Sequence, residues 1–351
     1  METLCLFRER VKVGQASRKL SNVPWTYIIA FNMFAFAALA AAWAITTYSD
    51  KSIAQRRVQA AEMVQSRKRV AFSFDDVPRG PGAFLDVAQR PAMLIKTLAD
   101  GGINGAAFFA NPGRNSAINK GTQSIAAYTA AGHVIGNHTA NHIALSSVPV
   151  ERFLADVAAA ELTLKPQRGY RPWFRFPQLD EGRKDKVKRD AIRAGLQQQG
   201  LRNAYVTADG WDWYMESRAI AAKRAGKPMD MAALRKLYIE THVESANFSD
   251  RLAKRILGRR PVQMLLLHET DLAAMYVDDL ADALRADGWE IVSADMAYAD
   301  PIGKKAIDPE FADGTILEML AWEKGLSGGR WFPRNNIPVA TKLFATRVLG
   351  E

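Results

Sequence analysis

The sequence predicts an α/β protein: a distorted (β/α) barrel of about seven parallel strands, preceded by an N-terminal transmembrane helix. Two observations predict the barrel. Short apolar runs alternate with amphipathic helical segments, and reactive side chains recur where the apolar runs end. Such alternation is typical of parallel sheets and barrels. A third observation, an uncharged stretch near the N-terminus, predicts the membrane helix.

The composition is that of a globular chain. Its 351 residues are 48% hydrophobic and carry a formal net charge of +10. Basic proteins can bind nucleic acid, but the sequence has no zinc-finger spacing, no RNA-binding signature and no lysine run interleaved with aromatic residues. We therefore expect no nucleic-acid partner. The single cysteine, Cys5, leaves the body of the protein without a disulfide or a thiolate metal site, and it does not indicate a compartment.

Three segments are predicted before the barrel. Residues 1–24 form a basic tail, residues 25–48 carry no formal charge, and residues 49–67 form a charged, helix-prone juxtamembrane stalk. About 20 apolar residues cross a bilayer core, and aromatic residues near both ends of 25–48 suit its interfaces. Small residues in "ALAAAWA" also fit a cleaved signal sequence. We expect a single anchor with the following domain on the periplasmic or extracellular side, or a secreted protein if the segment is cleaved.

The barrel is predicted between residues 68 and 300. Amphipathic helical segments fill most gaps between its strand-like runs, which lie at 69–76, 105–110, 133–138, 171–177, 202–209, 262–268 and 289–295. The longer gap 214–260 has a wholly helical pattern and is interpreted as an insertion on the rim. The alternation of strand-like and helical segments then stops, and residues 301–351 are predicted to be a C-terminal extension with one helix and a glycine-rich end.

Reactive side chains coincide with the ends of the predicted strands. Because the active site of a parallel barrel gathers at the carboxyl ends of its strands, we expect these side chains to lie close together. The side chains are those of Asp75, Asp76, His138, Arg175, Asp209, Asp212 and His268.

The adjacent acids Asp75 and Asp76 follow the apolar run "AFSF", which predicts that both are buried. Two buried like charges are costly unless cations or a base offset them. Arg175, in "WFRFP", suits an inward salt bridge to a carboxylate. His268 ends the apolar run "MLLLH", where a core histidine and a catalytic histidine are both open interpretations.

His138 and His142 have the spacing at which two histidines can bind one metal ion. Thr139 stands where an HExxH metalloprotease needs glutamate, which excludes that class. With a carboxylate from another strand end, the pair forms a set that zinc hydrolases and non-haem iron oxygenases both use. His242 and Glu244 imitate an oxygenase ligand pair, but they lie in the helical insertion, and we expect them far from any strand end.

Five motifs in order resemble the polysaccharide deacetylase family, the NodB-homology domain of carbohydrate esterase family four. They are "SFDDVP", "HTANH", "RFP", "DGWDW" and "LLLH". The resemblance covers roughly residues 68–300. It implies a metal-dependent hydrolase, usually with zinc, that removes N-acetyl groups from an amino-sugar polysaccharide or oligosaccharide and releases acetate. An O-acetyl esterase, another amide hydrolase on this barrel and an inactive membrane-anchored glycan-binding module are the alternatives.

The resemblance also implies a role for each reactive residue. Asp75 would be the general base, held by Arg175. His268 would be the general acid, oriented and charged by Asp212.

A second group of residues would bind rather than transfer protons. By the same resemblance, Asp76, His138 and His142 would be the metal ligands, and the backbone N–H of Gln178 would hold the oxyanion. The sequence departs from the family pattern around the substrate groove, which leaves the identity of the sugar open. These departures are Val77, Phe176, Gln178, Leu179 and Val206.

Overall fold

The computed structural model of the protein describes residues 67–114, 122–304, 307–326 and 328–351, with a few isolated positions between residues 33 and 56. In this part of the chain, no helix is both long enough and apolar enough to cross a membrane. The predicted tail, anchor and stalk lie outside the described residues, apart from residue 67 and those isolated positions.

A curled parallel sheet forms the centre of the fold and matches the predicted α/β class. Its strands are β1 (Lys68–Val77), β2 (Ala107–Ala110), β3 (Val134–Asn137), β4 (Tyr170–Phe174), β6 (Arg202–Asn203), β7 (Ala208–Asp209), β8 (Gln263–His268) and β9 (Trp289–Ile291). Their order is β6-β4-β3-β2-β1-β8-β7, with β9 paired to β1, and neighbouring strands run parallel. A separate antiparallel pair joins β5 (Asp180–Arg183) to β10 (Ala312–Asp313).

The stretch 202–209, predicted as one strand, is divided between the two edges of the sheet. β6 pairs with β4 at one edge, and β7 pairs with β8 at the other. Between them, Ala204 N donates to Phe174 O at 2.7 Å and Thr207 N donates to Met264 O at 3.1 Å. The segment therefore joins both edges and brings the curled sheet close to a barrel. The prediction of a single strand was wrong because an apolar run does not reveal its pairing partners.

Helices pack around this sheet in the described part of the chain. They are α1 (Gln89–Asp100), α2 (Thr122–Ala130), α3 (Val150–Leu164), α4 (Lys186–Gln198), α5 (Asp212–Arg224), α6 (Met231–Leu257), α7 (Asp271–Ala286), α8 (Ala294–Tyr298), α9 (Ile316–Glu323) and α10 (Ile337–Phe344). The core side chains of β1 are fully buried, so this strand is a rigid base for the carboxylates at its end.

The gap 214–260 is occupied by the rest of α5 and by α6. α6 packs against α7 and β7, and so it supports the sheet directly. Residues after 300 are also folded onto this support: α9 packs on α6, and α10 packs on α5. Ile316 N donates to Val206 O at 2.9 Å, which ties the C-terminal extension to the segment between β6 and β7. The extension contains a second helix, α10, that the sequence pattern does not predict.

Candidate active site

The carboxyl ends of β1, β3, β4, β7 and β8 open into one cleft of about 550 Å³. The paired register of β1 and β8 places Asp75 opposite His268. The cleft is lined from the strand ends by Asp75, Asp76, Arg79, His138, His142, Gln178, Leu179, Asp209, Trp211, Trp213, Leu266 and His268. The structure therefore brings together the side chains that the sequence places at strand ends.

Asp76, His138 and His142 converge at one wall of the cleft. One potential ligand atom from each residue lies within 4.8 Å of the others. Oδ1 of Asp76 is 2.9 Å from Nε2 of His142 and 3.8 Å from Nε2 of His138. This oxygen is buried and makes no hydrogen bond of good geometry in the described structure. Two imidazole nitrogens and a carboxylate oxygen with unused capacity fit a divalent metal ion.

The tautomer of His138 suits metal binding. Its Nδ1 lies 2.8 Å from the backbone O of Arg175, which can only accept, so Nδ1 carries the proton and Nε2 keeps its lone pair. Burial holds the pKa of His138 well below its usual range, so the ring is neutral. Asn111 Nδ2 donates to the backbone O of His138 and, at 3.0 Å, to that of Thr139, which fixes the loop that carries the histidines. Metal-binding histidines are typically oriented by such outer contacts.

Several residues at the cleft have the left-handed backbone conformation that side chains other than glycine rarely adopt. Five of the seven non-glycine residues with positive φ in the described chain line the cleft, namely Asp76, His142, Gln178, Leu179 and Trp211. Each such residue costs about 1–3 kcal/mol and persists where the surroundings impose it, commonly at functional sites. At Gln178 (φ 59°) this conformation lies in the short turn after β4 and sets the direction of the neighbouring backbone amides.

Asp75 is bound on one side by Arg175. Arg175 Nη1 donates to both carboxylate oxygens, at 2.9 and 3.1 Å, and both side chains are buried. The guanidinium is itself fixed, because Nη2 donates to Tyr298 OH at 2.8 Å and the group lies 4.2 Å from the centre of the Phe109 ring. Burial raises the pKa of Asp75, against the opposing effect of Arg175.

Asp76 has the opposite electrostatic character. Burial alone would raise its pKa, but His142 and Arg79 hold the pKa well below the usual range. Arg79 Nη1 lies 3.0 Å from Oδ2 of Asp76, and Arg114 Nη1 lies 3.1 Å from Oδ1. The two adjacent carboxyl groups therefore differ: Asp76 stays ionised, as a ligand must, whereas Asp75 holds a proton more readily.

His268 is the register neighbour of Asp75 on the adjacent strand β8 and is held by Asp212. Its Nδ1 lies 2.7 Å from Oδ1 of Asp212, and its backbone N donates to Oδ2 at 2.7 Å. Burial lowers the pKa of His268, but Asp212 more than offsets this, so the pKa is raised. The reciprocal effect lowers the pKa of Asp212. Asp212 therefore favours the protonated imidazole. It contacts Nδ1 of the ring and leaves Nε2 unengaged.

A second wall of the cleft comes from the C-terminal extension. Its residues are Phe311, Asp313, Gly314, Glu318, Trp331 and Asn335. They carry no motif and no spacing that indicates a site, so the sequence gives no signal for them. Burial raises the pKa of Glu318 to about 8, and it raises those of Asp313 and of Asp209, at the end of β7, to about 6.

His242 is closer to the strand ends than predicted. A Cβ atom at Gly210 would lie 2.7 Å from its Cδ2, so the ring packs directly behind the end of β7. Its Nδ1 lies 2.7 Å from Tyr238 O, and the side chain is fully buried. His242 is outside the lining of the cleft. The expected distance was wrong because α6 packs against β7 instead of standing on the rim.

Comparison with known proteins agrees with this arrangement. Residues 62–199 match the family model described as polysaccharide deacetylase. The match confirms the resemblance drawn from the motifs over that part of the chain. No curated protein matches the chain.

Solved structures of similar fold include three deacetylases or esterases. The family 4 carbohydrate esterase from Streptomyces lividans has 16% identity and a TM-score of 0.44, over 66% of this chain and 95% of that chain. The peptidoglycan deacetylase from Bacillus subtilis has 16% identity and a TM-score of 0.43, over 67% and 92%. The chitin deacetylase from Colletotrichum lindemuthianum has 18% identity and a TM-score of 0.46, over 65% and 85%.

Proposed function

We propose that the protein is a divalent-metal-dependent deacetylase that removes N-acetyl groups from an amino-sugar polysaccharide or oligosaccharide and releases acetate. One observation carries this proposal. Two differently tuned proton-transfer pairs, Asp75 with Arg175 and His268 with Asp212, line the cleft that also contains the cluster of Asp76, His138 and His142. Hydrolysis of an amide needs both a base for the water and an acid for the leaving nitrogen.

Asp76, His138 and His142 would hold the metal. Zinc is the metal we favour, because three nitrogen and oxygen ligands with an open position are typical of catalytic zinc sites. A bound zinc ion lowers the pKa of water toward about 7 and polarises a carbonyl oxygen. The protein fixes its ligands beforehand, through the contact between His138 and the backbone of Arg175.

Asp75 is placed to accept the proton of the attacking water. The salt bridge to Arg175 holds the carboxylate in one orientation, and burial raises its pKa, which makes it a stronger base than an exposed aspartate. We assign the backbone N–H of Gln178 to the negative charge that develops on the acetyl oxygen. This assignment rests on the family resemblance and on the position of Gln178 in the cleft lining.

His268 is placed to donate the second proton, to the departing nitrogen. Asp212 binds Nδ1, so the proton that moves is the one on Nε2. The negative charge of Asp212 stabilises the protonated ring before the transfer. The products are acetate and a free amino sugar.

The test is a screen of the purified, zinc-loaded full-length chain against a panel of N-acetylated and O-acetylated glycans. Acetate and new primary amines are measured together. We expect equal amounts of both from at least one N-acetylated glycan. Acetate without amine, from O-acetylated glycans alone, would identify an esterase. Glycan binding without acetate release, in a chain that holds its metal, would identify an inactive glycan-binding module.

We further propose that residues 25–48 anchor the protein in a membrane, with the catalytic domain on the periplasmic or extracellular side. The support is the absence of formal charge over that stretch. Fractionation of cells that express the full-length chain should place it in the membrane pellet, while a chain that begins at Arg67 stays in the supernatant. A shortened mature N-terminus, measured by mass spectrometry, would instead mean that the segment is a cleaved signal sequence.

A further inference from the structure

Trp331 is an exposed aromatic residue at the cleft. Its accessible fraction is 45%, and it lines the cleft together with Phe311 from the same extension. Both residues lie outside residues 62–199, which match the family model. A half-exposed tryptophan inside a concave cleft, beside polar side chains, has the position of a ligand-contacting residue.

The ring of Trp331 is held in position from behind. The guanidinium of Arg330 lies 4.7 Å from the centre of the Trp331 ring and 3.7 Å from that of Trp322. Gly314 allows the close approach on another side, because a Cβ atom there would lie 3.2 Å from Cζ3 of Trp331. A large side chain fixed in this way binds a flat apolar surface with little further loss of conformational entropy.

Polar groups lie along the same wall. Asp313 and Asn335 line the cleft beside Trp331, and Asn335 Nδ2 donates to the backbone O of Asp209 at 3.0 Å. This bond joins the extension to the end of β7, so the aromatic wall and the catalytic wall belong to one continuous cleft. An aromatic ring with carboxylate and amide groups next to it suits a sugar ring, which has apolar C–H faces and a rim of hydroxyls.

We propose that Trp331 and its neighbours in the C-terminal extension form a second sugar subsite, which binds a unit of the same glycan chain next to the unit that is deacetylated. The inference rests on the proposed function, since it takes the acetylated sugar at the strand ends as its starting point. The subsite makes the enzyme selective for oligomers over single amino sugars. Trp331 is a specificity-determining residue, and its contribution appears in substrate binding.

The experiment compares Trp331→Ala with the wild-type chain on the monomer, dimer and tetramer of N-acetylglucosamine and on an activated acetyl ester. We expect the wild-type kcat/KM to rise with chain length. In Trp331→Ala the kcat/KM on the tetramer should fall about 3- to 10-fold more than on the monomer or the ester, mostly through KM. Trp331→Phe should recover most of the loss, because it restores a ring.

Trp322→Ala is the matched control, since Trp322 packs on the same guanidinium but does not line the cleft. It leaves the Trp331 ring in the cleft, so its tetramer-selective loss should be smaller than that of Trp331→Ala. Equal losses on every substrate in Trp331→Ala, or a wild-type enzyme without chain-length preference, would overturn the subsite. Calorimetric titration with the tetramer separates this from failure of the proposed function: a wild-type chain that releases no acetate must still bind the tetramer more tightly than Trp331→Ala does.

Discussion

The two walls of the cleft are built in different ways. At the strand ends the functional side chains are buried or mostly buried, and each is held by a charged or backbone partner, as Asp75 is by Arg175 and His268 is by Asp212. On the C-terminal wall Trp331 is nearly half exposed. The difference suits the two tasks that we propose for these walls. Proton transfer and metal binding need fixed geometry and perturbed pKa values, whereas recognition of a sugar needs an accessible surface.

The largest effects are expected from the adjacent acids of the strand-end wall. Asp76→Asn should lose the metal and with it nearly all activity. Asp75→Asn should keep one equivalent of metal yet lose turnover by about 10²- to 10⁴-fold, the usual contribution of a general base. Metal content by elemental analysis and acetate release are the two measurements. Equal metal loss in both variants would show that both residues bind the metal, and metal loss in Asp75→Asn alone would show that the ligand and the base have been exchanged.

His268→Ala should give the next largest effect, and a selective one. A leaving amine needs a proton far more than the leaving group of an activated ester does, so N-deacetylation should lose most of about 10²- to 10⁴-fold while ester hydrolysis loses less. Asp212→Asn should show the same bias in milder form, because the imidazole remains but loses its charged partner. If both substrates suffer equally at full metal content, His268 is not the acid for the leaving group.

The stability of the protein should depend on pH through Glu318, on the C-terminal wall. Burial raises the pKa of Glu318 to about 8, so the folded state holds a proton there that the unfolded state releases near its ordinary pKa of 4.5. The free energy of unfolding therefore falls as pH rises through this window, by about 1.4 kcal/mol for each pKa unit. Glu318→Gln removes this loss.

The measurement is the melting temperature of wild type and Glu318→Gln at pH 5 and pH 8.5. The difference in melting temperature, variant minus wild type, should increase between the two pH values. Parallel pH profiles would mean that Glu318 is ionised or exposed in the folded protein.

The smallest effect is expected from the hydrogen bond of Asn335, which joins the two walls. Asn335→Ala removes the hydrogen bond to the backbone O of Asp209, and a bond of this kind contributes about 1 kcal/mol. It should lower the tetramer kcat/KM less than Trp331→Ala does. Asn335→Leu is the control, because it keeps the size and removes the donor, and it should resemble Asn335→Ala. A larger loss than in Trp331→Ala would mean that this hydrogen bond, not the aromatic ring, determines the preference for the tetramer.

The two walls also differ in how far they could be predicted. The strand-end residues follow short apolar runs, and parallel strands bring their carboxyl ends together, so Asp75, His138 and His268 could be predicted to meet. Trp331 has no such signal. Its position depends on how α9 and α10 pack on α6 and α5, which is a long-range property that periodicity does not contain.

The fold, like the site, was predicted only in part. The parallel α/β sheet followed from the alternation of apolar runs and amphipathic segments. The division of 202–209 between two edges did not, because apolar spacing reports which side chains are buried and not which strand they pair with. The packing of His242 behind β7 was missed for the same reason: the sequence identifies the helix but not the surface it covers.

A metal titration tests most directly whether the strand-end wall is a metal-dependent amide hydrolase, as we propose. The full-length chain is stripped with a chelator, and zinc is added back stepwise with an N-acetylglucosamine tetramer present. We predict that acetate and primary amine appear in equal amounts and that the rate reaches its maximum at one equivalent of zinc per chain, while Asp76→Asn needs a large excess. A stripped chain that is as active as the loaded chain would contradict the proposed metal dependence.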